Sequence, residues 1–385
     1  MKKSNIAIIL IIVIIIIGFW LFNRFGDDFN LPSGRETTTE TIVISNGQVI
    51  GTADELGQTS DDNSDYEPTG TIQDDNPAQP KNPIAVNDDL TNIQTKEIMI
   101  TDGVKHSIPL DKIVGGGPPK DGIPSIDNPK FTTVSEASDE FADEDPGIAV
   151  SLNGIDRFYP FQILVWHEIV NDTFDDQRVL VTYCPLCLSG IVFDPVVNGQ
   201  RVEFGTSGKL WNSNLVMYDR KTDSLWSQIL GEAVVGELTG TQLKILESDQ
   251  MRFGEWKRLN PNGQVLSKDT GATRFYGRDP YGDYYTSPGV FFNVDNRDDR
   301  LPEKAFVLGI VIGEEAKAYL PEAVKKVGTL EDKFAGKTII AEYKSDIDTV
   351  QLFEKRSDGT RERINPFPNF WFSWVAVHPD TELYK

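Results

Sequence analysis

The chain has 385 residues, two cysteines, three histidines and a formal net charge of −22 at pH 7. This acidic balance argues against binding of nucleic acid or anionic lipid through a basic face, because the chain has no excess of positive charge to attract either of them. The length is sufficient for one large or two modest domains with a hydrophobic core.

An apolar segment opens the chain. Residues 5–22 carry no charged side chain, and this length spans a bilayer as a helix. Two lysines precede the segment, whereas Arg24, Asp27 and Asp28 follow it, so we expect residues 1–4 in the cytoplasm and the rest outside, in the periplasm or at the cell surface. Bulky residues follow the segment, which favours a retained signal anchor over a cleaved signal peptide.

The next segment, residues 23–94, is rich in Thr, Asn, Asp, Gly and Pro and has 14 acidic residues against three basic ones. Such a composition cannot bury enough apolar surface to offset its ordering entropy. It predicts a disordered, self-repelling stalk. Residues 41–45, TIVIS, are a short apolar exception with the character of a strand.

Residues 95–385 are predicted to be a globular domain of short strands. Four turn signals of the type that hairpins prefer separate its apolar stretches: Asn153-Gly154, Asn198-Gly199, Asn262-Gly263 and Asp358-Gly359. The clearest helical pattern spans residues 159–170, because Pro160 suits a first helical position and His167 then shares one face with apolar residues. We therefore predict an α+β, mainly β fold.

The sequence pattern repeats at an offset of 160 residues. The matched pairs run without a gap from Arg157 and Lys317 onwards and include Tyr159 and Tyr319, Phe174 and Phe334, Trp211 and Trp371, and Ser213 and Ser373. Such a register predicts one internally duplicated β-rich unit. We place repeat 1 at residues 148–230, a middle segment at 231–305 and repeat 2 at 306–385.

Both cysteines lie in residues 181–190, VTYCPLCLSG. Four interpretations are open: a local disulfide, which exported cysteine pairs tend to form, a redox dithiol, half of a metal site, or two inert core residues. A thioredoxin-like dithiol stands at the N-terminus of a helix, but the residues after Cys187 are β-like and stop at Pro195. A CxxC turn between two strands resembles a metal knuckle, which supplies two thiolate ligands.

Histidine is the best candidate for a third ligand. His167 precedes the cysteine-bearing strand, so a helix there can fold back on Cys184 and Cys187. Soft ligands in an exported space suit copper or zinc, so we predict a metal site at these three residues. Further ligand candidates are Asp194, Glu168 and Met217. At the 160 offset the second repeat lacks the three predicted ligands, because it has Lys344, Ile347 and Val327 in their places.

Several long motifs carry a resemblance. Among them are LVWHEIVND, VTYCPLC, FGTSGKLWNSNLVMYDRKTDSLWSQ, YGRDPY and FWFSWVAVHPDTELY. From about residue 121 to the C-terminus the chain resembles the uncharacterised prokaryotic family catalogued as domain of unknown function 3179. The resemblance implies an exported or anchored protein and names no reaction. It also implies one shared constellation, which together with Met217 we take as a possible pocket: His167, Cys184, Cys187, Asn212, Ser213, Asn214, Tyr218, Asp219 and Trp226.

The leading hypothesis is a membrane-anchored extracytoplasmic protein that binds copper or zinc for metal handling or redox use. The first alternative is a non-catalytic binding module with a structural disulfide, whose groove for glycans or peptides would be lined by aromatic residues: Trp211, Trp226, Trp256, Tyr281, Tyr284 and Tyr285. The second is a thiol-disulfide oxidoreductase, which requires one thiol of depressed pKa. The chain lacks the catalytic serine elbow, the P-loop and the zinc-protease motif, so its sequence does not establish an enzyme.

Overall fold

The computed structural model describes residues 39–45, 48–52 and 96–385. The predicted cytoplasmic tip and signal anchor, together with most of the predicted stalk, lie outside these described residues. Within them, no helix has the length and apolar character needed to cross a bilayer. Two stretches of the predicted stalk are strands, and the first contains the apolar residues 41–45.

The described residues form mainly strands and a few short helices, which confirms the predicted fold class. The strands are β1 (Thr39–Ser45), β2 (Gln48–Thr52), β3 (Lys96–Thr101), β4 (Val104–His106), β5 (Ile113–Gly115), β6 (Phe131–Thr133), β7 (Pro146–Leu152), β8 (Ile155–Pro160), β9 (Ile169–Phe174), β10 (Gln177–Cys184), β11 (Ser189–Asp194), β12 (Val196–Val197), β13 (Gln200–Arg201), β14 (Phe204–Trp211), β15 (Asn214–Asp219), β16 (Leu225–Ser227), β17 (Glu232–Val235), β18 (Lys244–Ile245), β19 (Asp249–Arg252), β20 (Gln264–Leu266), β21 (Phe306–Ile312), β22 (Glu315–Tyr319), β23 (Thr329–Phe334), β24 (Lys337–Lys344), β25 (Thr349–Lys355), β26 (Arg361–Ile364), β27 (Phe367–Phe370) and β28 (Glu382–Tyr384). The helices are α1 (Val134–Ala137), α2 (Phe161–Leu164), α3 (Phe253–Leu259), α4 (Pro321–Val327) and α5 (Trp371–Val377).

The helix predicted over residues 159–170 is a single turn. Strand β8 continues through Pro160, α2 ends at Leu164, and β9 begins at Ile169. Glu168 has a φ of 59°, in the left-handed region, so the chain cannot continue as a right-handed helix there. His167 therefore does not lie on the face of a long helix.

Three of the four predicted turns are hairpin turns. They join β7 to β8, β12 to β13 and β25 to β26. At the first of them, Asn153 and Gly154 have φ of 54° and 76°, the pair of positive values that a type I′ turn requires. The fourth, Asn262-Gly263, was predicted wrongly. It connects α3 to β20, and β20 pairs with β8 in parallel.

The order of elements repeats within the globular region. The first unit begins with β7, β8, α2, β9, β10 and β11, and the second unit begins with β21, β22, α4, β23, β24 and β25. Strands β7, β9 and β10 have the same lengths as β21, β23 and β24, and each begins 160 residues earlier than its counterpart. The offset seen in the sequence is therefore an offset between equivalent strands.

After the turns Asn198-Gly199 and Asp358-Gly359, which are still 160 residues apart, the offset changes to 118 residues. The run β19, α3 and β20 corresponds to β27, α5 and β28. In each unit the strand before the helix pairs antiparallel with the first strand, and the last strand pairs in parallel with the second. The uniform offset of 160 predicted that Trp371 and Ser373 correspond to Trp211 and Ser213. The structure shows that they do not. The first unit also extends to Leu266, past its predicted end at residue 230.

The change of offset has a structural cause. The first unit contains an insertion between β11 and β19, and the strands β14 to β17 of that insertion form hairpins of a separate sheet. This sheet has nine strands in the order β2-β1-β3-β4-β17-β16-β15-β14-β5. A hydrophobic cluster joins the insertion, strands β10 and β11, and Phe370 and Phe372 of the second unit. Both cysteines lie in this cluster.

A buried charged group joins two strands of the first unit. Arg157 on β8 forms an ion pair of 2.8 Å with Asp172 on β9, and the Tyr159 hydroxyl donates a hydrogen bond to the same carboxylate. The guanidinium group also lies 4.1 Å from the ring centre of Phe131 and 4.4 Å from that of Phe174. We call Arg157, Tyr159 and Asp172 the charged triad of the first unit.

The second unit has the equivalent triad. Lys317 on β22 lies 2.7 Å from Asp332 on β23, and the Tyr319 hydroxyl donates to Asp332 at 2.9 Å. These three residues are 160 positions beyond their counterparts. Lys317 has a second partner, Glu382, at 2.8 Å, and Asp332 is more exposed than Asp172, with 19% against 4% of its side chain accessible.

Replacement of the buried carboxylate should destabilise the first unit. We expect Asp172→Ala to lower the free energy of unfolding by about 3 to 5 kcal/mol, because it leaves Arg157 buried without its counter-charge. Urea denaturation of the full-length chain measures this. The matched control is Asp332→Ala, whose loss should be clearly smaller because Lys317 keeps Glu382. Equal losses in the two variants would contradict the argument from burial.

Candidate functional site

The CxxC segment is a tight turn between two antiparallel strands. Cys184 ends β10, residues Pro185–Cys187 form a 3₁₀ turn, and Leu188 has a left-handed φ of 50° before β11 begins. Cys184 lies opposite Ser189 in the register of the two strands. Both cysteines are free thiols and are buried. The turn thus has the strand-turn-strand geometry expected from the sequence.

A second tight turn lies against the sulfur atoms. Asn212 and Ser213 connect β14 to β15 with φ of 51° and 64°, as in a type I′ turn, although glycine usually occupies the second of these positions. The Ser213 carbonyl accepts a hydrogen bond from the Cys187 thiol at 3.3 Å and a weak one from Cys184 at 3.9 Å. The turn is buried, and it brings a main-chain acceptor to both thiols.

A chain of buried polar groups extends from the sulfur of Cys187. The Asn214 amide donates to Cys187 Sγ at 3.5 Å and to Gln228 Oε1 at 2.9 Å. Gln228 in turn donates to Thr182 Oγ1 at 3.2 Å and to the Ser189 carbonyl at 3.1 Å. These residues link β10, β11 and β15. The sequence analysis did not predict Thr182, Ser189 and Gln228. Each of them could have been recognised only as a polar residue among apolar neighbours.

Glu168 is a buried carboxylate beside the dithiol. It is 8% exposed, and its main-chain carbonyl accepts from the Tyr183 N–H at 2.8 Å, one residue before Cys184. Its side chain has no hydrogen-bond partner among residues 96–385, and burial raises its pKa to about 8. The carboxylate is close enough to both thiols to raise their pKa values.

The two thiols differ in acidity. Burial, the neighbouring Cys187 sulfur and the charge of Glu168 hold the pKa of Cys184 well above its ordinary value. Burial also acts to raise the pKa of Cys187, but the Cys184 thiol, the Asn214 amide and the nearby Ser373 hydroxyl favour its thiolate and outweigh burial, so the pKa of Cys187 is lowered. Of the two sulfurs, Cys187 is therefore the one that ionises more readily, and Cys184 is the one that holds its proton more firmly.

Tyrosines from a long irregular segment cover the turn. Residues 267–305, all within the described range, contain neither helix nor strand. The Tyr284 hydroxyl donates to the Leu186 carbonyl at 2.9 Å, and its ring contacts Tyr281 and Tyr285 at centroid distances of 6.3 and 5.8 Å. Connections of this length without secondary structure are uncommon in compact domains, and those that occur often serve as lids or binding loops.

His167 does not join the cysteines. One ring nitrogen bonds to the Pro124 carbonyl at 2.7 Å, and the other bonds to the Tyr276 hydroxyl at 2.6 Å. Burial lowers the pKa of His167, so the imidazole is neutral near pH 7. The described residues contain no group of three or more His, Cys, Asp or Glu side chains placed to hold a metal ion. The residues of the predicted copper or zinc site, Cys184, Cys187 and His167, therefore do not form such a group, and both ring nitrogens of His167 have other partners.

The predicted pocket divides into two parts. Asn212, Ser213 and Asn214 flank the dithiol, whereas Met217, Tyr218, Asp219 and Trp226 lie towards the other end of the β15 hairpin. Asp219 accepts hydrogen bonds from Trp226 Nε1 at 3.0 Å and from the Thr222 hydroxyl at 2.8 Å, and Tyr218 donates to Asp121 at 2.6 Å. These contacts stabilise the hairpin, while Met217 and Trp226 pack in the hydrophobic cluster that also contains both cysteines.

The six aromatic residues predicted to line a groove do not all come together, although Tyr281, Tyr284 and Tyr285 contact one another. Trp256 lies in the core of the first unit, Trp226 and Tyr284 lie in the cluster around the cysteines, and Trp211 packs in a third cluster. Trp226, Trp256 and Tyr284 are each almost fully buried. The predicted glycan or peptide groove is therefore not formed by these residues.

The pKa of Glu168 predicts a pH dependence of stability. The folded chain keeps this proton up to about pH 8, whereas the unfolded chain releases it near the ordinary value of 4.5. Stability should therefore fall as pH rises through this window, by at most about 1.4 kcal/mol per pH unit. We expect Glu168→Gln to remove this fall in urea denaturation of the reduced chain at pH 5 and pH 8. The exposed Glu314→Gln is the control, and an equal pH dependence in wild type and Glu168→Gln would contradict the assignment.

The family model described as Protein of unknown function (DUF3179) matches residues 120–381. The match includes Glu168, the CxxC turn, the inserted hairpins, and the second unit as far as Thr381. No curated protein and no solved structure matches the chain. Because the matched region is more than half of its length, the chain belongs to the DUF3179 family of proteins of unknown function.

Proposed function

We propose that the chain is a thiol-disulfide oxidoreductase whose redox centre is the dithiol of Cys184 and Cys187. One observation carries the proposal: two adjacent thiols have opposite pKa shifts beside a buried carboxylate without a hydrogen-bond partner. A dithiol of this kind needs one nucleophilic thiolate and one thiol that resolves the intermediate. Perturbed groups that gather in one place are also typical of functional sites.

The exchange step uses the two sulfurs in sequence. The Cys187 thiolate attacks a disulfide of the substrate, so one substrate sulfur leaves as a thiolate and a mixed disulfide forms. Cys184 then loses its proton and attacks Cys187 Sγ, which releases the second substrate thiolate and forms the Cys184–Cys187 disulfide. Two electrons pass from the dithiol to the substrate, whose two thiolates each take up a proton. The reverse sequence oxidises a substrate dithiol.

Glu168 supplies the proton acceptor that Cys184 requires. With a pKa of about 8, the ionised Glu168 carboxylate is a stronger base than an ordinary carboxylate, so it is better suited to accept the proton of a thiol. In its ionised form, which predominates above about pH 8, Glu168 takes the proton of Cys184 when the mixed disulfide is resolved and returns it to the departing substrate thiolate. No other buried carboxylate of the described residues influences the pKa of both thiols.

Access to the dithiol requires a movement of its cover. Both sulfurs are enclosed, with Cys187 0% and Cys184 1% exposed. The Tyr284 hydroxyl is bonded to the CxxC turn itself, so residues 267–305 are the part of the cover that would have to shift. A segment without helix or strand has few regular hydrogen bonds to lose in such a movement.

The proposed location is outside the cytoplasm, on a retained N-terminal anchor at residues 5–22. The apolar run and the flanking charges of the sequence support this topology. An exported space is where structural and catalytic disulfides persist. There the dithiol would exchange with exported cysteine-containing partners. A copper or zinc cofactor remains a prediction, and its ligands would not include His167.

Glutathione disulfide tests the proposed reaction on the reduced full-length chain. We expect the wild-type chain to become two hydrogens lighter by mass spectrometry, with release of two glutathione thiols. Cys184→Ser should stop at the mixed disulfide on Cys187. Cys187→Ser should react at least about tenfold more slowly, because its remaining thiol has a raised pKa.

Elemental analysis of the same preparations separates the alternatives. A chain that carries near-stoichiometric zinc or copper, loses it in Cys184→Ser, and does not exchange with glutathione disulfide would be a metal protein. A chain without metal or exchange would refute both redox use and metal binding.

A further inference from the structure

The second unit reaches the dithiol although it has no cysteine of its own. Strand β27 lies against β11, the strand that follows the CxxC turn. Phe370 and Phe372 of the second unit pack in the same hydrophobic cluster as Cys184 and Cys187. The next residue of helix α5 is Ser373, which is 1% exposed.

The Ser373 hydroxyl is an unusual buried group. Its Oγ has no hydrogen-bond partner of acceptable geometry among the described residues. A buried hydroxyl without a partner is unfavourable by about 1 to 3 kcal/mol, so such a group in a well-packed core calls for an explanation. Ser373 is near enough to Cys187 to favour its thiolate, and a hydroxyl can rotate towards a charge when one forms.

We propose that Ser373 is a positioning residue of the redox centre, which donates its hydroxyl to the Cys187 thiolate and so makes the second unit part of the site. This inference rests on the proposed function. It assigns a separate partner to each protonation state of Cys187. The Ser213 carbonyl accepts from the protonated thiol at 3.3 Å, and Ser373 donates to the thiolate together with the Asn214 amide.

The inference explains why the two units remain joined around one dithiol. A thiolate in a low-dielectric interior is stable only when donors surround it. The first unit supplies Cys184 as one donor, and its insertion supplies Asn214 as another. The third donor comes from α5, at a position that has Glu255 as its counterpart in α3. The redox centre is therefore incomplete in the first unit alone.

The test is the pH titration of the thiolate, followed by its ultraviolet absorbance in the reduced full-length chain. We expect Ser373→Ala to lower the thiolate fraction of Cys187 by about tenfold at a given pH below its pKa, since a hydrogen bond to a charged group is worth about one pKa unit or more. Ser227→Ala is the matched control, because its hydroxyl is also buried without a partner.

The oxidised chain separates a positioning role from a packing role. A disulfide has no thiolate, so Ser373→Ala should destabilise the reduced chain at high pH and should not destabilise the oxidised chain in urea denaturation. An unchanged thiolate titration, or an equal loss of stability in both redox states, would overturn the inference. If the wild-type chain exchanges with glutathione disulfide, such a result refutes only the role of Ser373. If the wild-type chain does not exchange, the proposed function fails first.

Discussion

A carboxylate paired with a cation and a tyrosine links two strands in each unit. In the first unit Asp172 binds Arg157 and Tyr159, so β9 is held against β8 after a reversal of only one helical turn. Asp172 lies on β9, and Glu168 is the residue just before that strand. Strand β10 pairs with β9 and ends at Cys184, so the position of the dithiol depends on the same ion pair.

Three parts of the chain converge on the thiols. The first unit provides the CxxC turn, the insertion provides the buried turn of Asn212 and Ser213, and the second unit provides α5. Each part alone would leave polar groups buried without partners, which is costly in a medium of low dielectric constant. Together they pair most of these groups through Asn214 and Gln228. The site is thus a product of assembly, and no single segment contains it.

The local backbone around the dithiol is strained. Glu168, Leu188, Asn212 and Ser213 all have positive φ without being glycine. Each such residue costs of order 1 to 3 kcal/mol, and such residues gather where surrounding contacts hold a functional geometry. Here they aim a carbonyl at both sulfurs and place a carboxylate beside them. Burial acts to raise the pKa of both thiols, so the asymmetry between Cys184 and Cys187 comes from the polar groups that favour the Cys187 thiolate.

The sequence by itself determined the mainly β fold, three hairpin turns and the 160-residue register of the first strands, because these features depend on local turn chemistry and side-chain alternation. It also determined that the CxxC lies between strands. Only the tertiary structure decided the partners of the thiols. His167 bonds to Pro124 and Tyr276 and not to the cysteines. The counterpart of Ser373 in the first unit is Glu255 and not Ser213, because the insertion lengthens that unit. Contacts between residues far apart in the chain depend on packing, which neighbouring residues do not encode.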